Sequence, residues 1–233
     1  MSNKPLKFSE LKKQRQKSIE NQRKNVPSYT FPPYTMIVTE GTKTEPYYLR
    51  GLVESINSYY RPYTKHNYIE IEGKGLNTTG LLEYAIDKIE NDDWSKYHTI
   101  WLVYDKDDFP LDRFDNTQYR AESYNKDKKD ATKLRVAWSN ESVELWFLLH
   151  LQDYRANNGR KQYIEKLKTY FDYEKKEEDI YSIINQLGSE QKAIQRAKVL
   201  EEEHNELGHS CPTQMVPMTK MYILVEEMNK HKH

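Results

Sequence analysis

Three groups of acidic side chains stand at places where chemistry could be done. Glu40 follows the apolar run Thr35-Met36-Ile37-Val38-Thr39. Asp105, Asp107 and Asp108 follow Thr99-Ile100-Trp101-Leu102-Val103-Tyr104, and Glu141 and Glu144 follow Ser139-Asn140. Carboxylates held together repel, and they persist only around a cation or with some of them protonated. In Asp105-x-Asp107 alternate residues of an extended chain point the same way, so both carboxylates can reach one ion. A hard ion with oxygen ligands and retained waters fits this set, with magnesium first and manganese as the alternative. Glu45 and Asp108 extend the candidate ligand set. Glu40 and Glu144 are the candidate acid–base groups, and Lys43, beside Glu40, is a third catalytic candidate. Lys106 lies between the two aspartates, and Lys192 and Arg196 share a helical face. With Ser139 and Asn140 they are the substrate-binding candidates. Plainer readings exist for single members: Thr42-x-x-Glu45 matches a capping box, Asn140 suits a helix N-cap, and Asp105 to Asp108 is also an ordinary acidic turn.

The elements that would carry these residues are legible as patterns. Thr35–Thr39, Tyr68–Glu72, Thr99–Tyr104 and Lys133–Trp138 have the composition of strands. Glu45 to Ile56, with Pro46 in its first turn, and Thr78–Glu90 have helical spacing. Glu144–Leu151 is apolar nearly all round, as a buried helix is. Alternation of apolar strands with helices predicts an α/β fold with a largely parallel sheet, whose sites lie beyond the carboxyl ends of the strands. All three acidic groups fall at such ends. From about Asp153 the texture becomes charged and helical, with stretches at Tyr163–Tyr170, Ser189–His204 and Met221–Met228. Glu174 to Glu178 reads as a solvated charge run.

Composition narrows the class. The chain has 233 residues, 36 basic against 36 acidic, with 36% hydrophobic residues, 19 Tyr and 4 Trp. That is enough apolar and aromatic surface for one core and too much for whole-chain disorder. One cysteine, Cys211, excludes an internal disulfide and a cysteine-rich zinc site. No run approaches a membrane span or a signal-peptide core, so a soluble, cytoplasmic protein is expected. Neutral net charge hides an asymmetry: residues 1–25 hold eight Lys or Arg against two Glu. The division expected is a basic arm over 1–33, a core over 34–152 and a mainly helical extension of the same domain over 153–233. A basic arm can hold phosphate backbone or simply act as a solvated tail. Other constellations fail: Phe109 and Pro110 exclude an EF-hand loop, Gly73-Lys74-Gly75 lacks the rest of a P-loop, and His204, His209 and Cys211 lack a fourth zinc ligand.

Three motifs together carry a resemblance. Ile37-Val38-Thr39-Glu40-Gly41-Thr42-Lys43-Thr44-Glu45-Pro46-Tyr47-Tyr48 resembles the opening signature of the RloB family, prokaryotic defence-associated proteins found with restriction–modification loci. Trp101 to Asp107 is similar to its acidic motif, and Ala137 to His150 is similar to its most distinctive one. Ala193 to Ala197 and Pro212-Thr213 resemble weaker family features. The resemblance spans about residues 34–228 and implies a TOPRIM-like sheet, with Glu40 as general acid or base and Asp105 and Asp107 as magnesium ligands. It further implies a magnesium-dependent nuclease in antiphage defence, acting by abortive infection. Nucleic acid is then the expected partner, a defence-system protein and a second copy of the chain are further partners, and no membrane is involved. The alternative it leaves open is a catalytically silent sensor or partner-binding module on the same fold.

Overall fold

Short β-branched and aromatic runs in this chain become strands that are buried on both faces, and that burial dictates a sheet covered by helices on either side. In the computed structural model, which describes residues 31–107, 111–128 and 132–232, the strands are β1 (Thr35–Thr39), β2 (Ile69–Gly73), β3 (Thr99–Asp105), β4 (Lys133–Asn140) and β5 (Met218–Thr219). They form one sheet in the order β2-β1-β3-β4-β5. The first four strands are parallel and β5 runs antiparallel to β4. The expected α/β architecture with a largely parallel sheet and a helical C-terminal part is borne out.

Register aligns the strand ends. Thr39 of β1 pairs with Gly73 of β2 and with Val103 of β3, and Asp105 of β3 pairs with Ser139 of β4. The carboxyl ends of four strands therefore share one rim, with Glu40 one residue beyond β1 and Asp105 at the end of β3.

Among the described residues the helices are α1 (Thr44–Tyr60), α2 (Thr78–Glu90), α3 (Leu111–Asp127), α4 (Glu144–Leu151), α5 (Gly159–Leu167), α6 (Ile180–Leu187), α7 (Glu190–Glu206) and α8 (Met221–Asn229). Local chemistry sets their starts. Pro46 sits in the first turn of α1, and Asn77 caps α2 by accepting from the Gly80 amide at 2.8 Å. Ser189 caps α7 through the Lys192 amide at 3.3 Å. Lys43 is the N-cap of α1 and makes no side-chain cap bond, so the capping box expected at Thr42 and Glu45 is not formed. Val143 is the N-cap of α4, so Asn140 does not cap it.

The core gathers around the centre of the sheet and α4. Trp101, Trp138, Trp146, Tyr48 and Tyr104 are fully buried, and all but Leu151 of the α4 residues are buried. Trp146 meets Tyr48 edge to face at a centroid distance of 6.4 Å, an arrangement that adds to its burial. Residues 32–233 form one compact unit, so the C-terminal helices belong to the same body as the sheet. The basic arm read over 1–33 lies almost wholly outside the described residues. Three elements escape the sequence patterns: α3, α6 and the two-residue β5. Among its described side chains α3 buries a narrow line of Phe114, Thr117 and Ala121 in a mostly polar sequence.

Candidate active site at the carboxyl rim

The loop after β1 is built to bring a second carboxylate back to the strand end. A Cβ on Gly41 would lie 2.3 Å from Glu45 Oε2, so only glycine lets that carboxylate approach the backbone so closely. Glu45, in the first turn of α1, is thereby folded into the rim and buried. At the end of β3, Asp105 is buried at 5% exposure, and its Oδ2 accepts the Val143 amide at 3.1 Å. Asp107 follows in a left-handed conformation, with φ of 42°, and its amide donates to the Glu141 carbonyl at 3.2 Å. Glu144 opens α4 at 1% exposure and accepts the Tyr173 hydroxyl at 3.1 Å.

These side chains line one cleft of about 420 Å³, together with Lys43, Thr44, Gly75, Arg160, Lys175 and Lys176. The sequence expectation that Glu40, Asp105 and Asp107 share one rim is met, and Glu45 and Glu144 join them. Asp108 lies outside the described residues. Lys43 lines the mouth.

Other candidates are turned elsewhere. The Lys106 ammonium donates to the Asp107 carbonyl at 3.0 Å. Ser139 and Asn140 are buried in the β4–β5 join: the Ser139 hydroxyl bonds Thr219 Oγ1 at 2.9 Å, and Asn140 Nδ2 donates to the Pro212 carbonyl at 3.0 Å. Their polarity serves the short antiparallel pair, and neither lines the cleft. Arg196 holds the end of α4 by donating to the Leu149 carbonyl at 2.6 Å, and Lys192 is exposed on α7 away from the cleft. None of these five substrate-binding candidates lines the cleft.

Two parts of the site were not legible beforehand. The first is Arg160, whose guanidinium reaches Asp105 Oδ2 at 3.2 Å, pairs with Asp107, and lies 3.8 Å from Glu144. The second is the segment Tyr173 to Lys176. Glu174 to Glu178 reads as a solvated charge run, yet Lys175 stands 3.9 Å from Glu144 and its carbonyl accepts the Thr44 hydroxyl at 2.9 Å. The one signal for Arg160 is the turn-forming Asn157-Asn158-Gly159 before it, with Gly159 at φ of 76°.

Electrostatics follow from crowding. Burial, then Asp107 and Glu45, push the Glu40 carboxyl up to about 8. Burial and the neighbouring Glu45 and Glu144 raise Asp105 well above the usual carboxylate range. Burial raises Asp107, with Arg160 pulling the other way. Burial disfavours charge on Arg160, but Asp105, Glu144 and Asp107 outweigh it and hold the guanidinium above its usual range.

Four buried carboxylate oxygens line the cleft without a regular hydrogen bond: Glu40 Oε2, Asp105 Oδ1, Glu144 Oε2 and Asp107 Oδ1, the last of which has its ion pair with Arg160. Unpartnered buried carboxylate oxygens of this kind suit a hard divalent cation, so the donor chemistry fits magnesium. The cage is not assembled, however. Among the described residues no three His, Cys, Asp or Glu side chains stand ready to hold an ion, and Arg160 pairs with Asp105 and Asp107 while Lys175 stands near Glu144. His204 and His209 face each other at 2.9 Å between Nδ1 atoms, without a third donor. A larger groove of about 840 Å³ lies at α7 and α8, where Lys198 pairs with Glu226 at 2.6 Å and Arg135 with Glu227, and among the described residues no metal-ligating cluster converges on it.

The family model for RloB-like proteins matches residues 35–228, which takes in every strand and every helix described above but for the last residue of α8. The chain belongs to the RloB-like family. No curated protein and no solved structure matches it. For an RloB-like chain the matched span includes both the rim acids and the C-terminal segment that supplies Arg160 and Lys175, so the site lies wholly within the family unit.

Proposed function

We propose that the rim cleft cleaves phosphodiester bonds with the help of a divalent cation, making this RloB-like chain a nuclease of prokaryotic antiphage defence. The observation that carries the reading is the convergence of Glu40, Asp105, Asp107 and Glu144, from three separate strand ends, on one cleft that also holds Arg160 and Lys175. Asp105 and Asp107 would hold the ion, with Glu45 as a further ligand. Bound magnesium or manganese would polarise a phosphate oxygen and lower the pKa of a coordinated water. Glu40 lines the cleft with one buried oxygen that accepts no hydrogen bond, and it would take or give a proton at the reacting oxygens. Lys43, Lys175 and Lys176 offset the acidic floor and attract a polyanion.

A second reading, a catalytically silent sensor or partner-binding module, draws on the closure of Arg160 over Asp105 and Asp107. The two separate in one assay: the purified protein incubated with single- and double-stranded DNA and RNA in magnesium, manganese or chelator. Cleavage that needs metal, and that falls by at least about 10²-fold in Asp105→Asn/Asp107→Asn, is the expected result. Absence of cleavage on every substrate and metal would leave the silent module.

A further inference from the structure

A cleft with five carboxylates must neutralise them while it waits for its cation. The group at hand is Arg160, which touches Asp105 and Asp107 and stands close to Glu144. Its hold is incomplete. The approach to Glu144 Oε2, at 3.8 Å, is too long for a hydrogen bond, and Asp105 Oδ1, Glu144 Oε2 and Glu40 Oε2 accept no hydrogen bond. A planar guanidinium donates in one plane and cannot saturate oxygens arrayed around it.

The backbone beneath Arg160 is fixed while the side chain has somewhere to go. Its amide donates to Glu141 Oε2 at 3.0 Å, at the start of α5, and Gly159 before it takes the left-handed turn that makes room for that carboxylate. A second hollow of about 390 Å³, bordered by Asp107, Glu141, Asn158 and Lys161, shares Arg160 with the acidic cleft. The side chain therefore stands between two spaces on a long flexible stem, and it is 29% exposed.

From this geometry we infer that Arg160 is a displaceable counter-ion. It holds the rim acids together in the metal-free protein and competes with the divalent cation for Asp105 and Asp107. When the cation enters, the guanidinium is released toward the mouth, where it can pair with a phosphate of the substrate. The inference rests on the metal-dependent reading above, and Arg160 acts in it as a positioning residue.

The test uses the full chain and magnesium alone, without nucleic acid. Magnesium affinity is measured by calorimetric titration, and melting temperature is followed from chelator to saturating magnesium, for wild type, Arg160→Met and Arg160→Lys. Arg160→Met is expected to bind magnesium about tenfold more tightly or better, because the competitor is gone. It should melt below wild type in chelator, where the acids lose their counter-ion, and gain more from magnesium than wild type does. Arg160→Lys keeps the charge but cannot span two carboxylates, so it should fall between, and it serves alone if the methionine variant does not fold. A merely structural arginine would lower the melting temperature equally with and without magnesium. Affinity equal to wild type in the variants, with an unchanged magnesium increment, would overturn the inference and leave the metal site standing. No magnesium response in any protein, wild type included, would overturn the metal site itself and this inference with it.

Discussion

Glu40 shows how position converts an ordinary acid into an unusual one. Its folded value near 8 stands above the ordinary 4.5, first through burial and then through Asp107 and Glu45. Between those two values the folded chain keeps a proton that the unfolded chain has released. Stability from this group is therefore complete below about pH 4.5 and lost as pH rises through 8. Glu40→Gln has no such proton to lose. In chelator it should melt close to wild type at pH 5 and clearly above it at pH 8.5; a difference that does not vary with pH would refute the assignment of cause. At this scale the acidic residues were legible because a carboxylate that ends an apolar strand has little structural reason to be there. Arg160 was not legible, because it lies 55 positions from Asp105 in sequence and only packing reveals the pairing. Ser139 and Asn140 misled for a related reason: at a strand end, polarity that serves a buried cross-strand join looks the same as polarity that serves a substrate.

Among the elements, α4 does two jobs along its length. Glu144 at its first turn faces the cleft, and Leu145 to His150 are buried behind it against α5, α6 and α7. Trp146→Ala removes a fully buried indole and should cost roughly 3–5 kcal/mol, read by chemical denaturation in a chelator-containing buffer. A loss under about 1 kcal/mol would mean the site collapses around the gap or that Trp146 is not core. Elements with a broad apolar stripe or a continuous β-branched run were readable directly, and α2 and α4 have the bounds their patterns predict. α3 was not, since Phe114, Thr117 and Ala121 are too few and too small to raise a periodic signal above its charged surface. β5 was too short to show any period, and it is fixed by pairing Ser139 with Thr219.

For the whole molecule, the decisive feature is that the sheet and the C-terminal helices form one unit over residues 32–233, the same span that the family match nearly fills. The β1, β3 and β4 ends supply the acids, while the segments around α5 and before α6 supply the cations that face them. The alternating strands and helices made the parallel sheet and its acidic rim foreseeable. How the later helices fold back over that rim depends on tertiary packing that no local pattern encodes. Among the described residues no helix is long and apolar enough to cross a membrane. The central claim is that the rim acids form a divalent-cation site. It is tested most directly by crystals grown with manganese and an anomalous difference map at the manganese edge. The account predicts a peak at coordination distance, about 2.1–2.2 Å, from carboxylate oxygens of Asp105 and Asp107, with the Arg160 guanidinium withdrawn from both. A map without density at the rim, with Arg160 still bridging the two aspartates at saturating manganese, would contradict it.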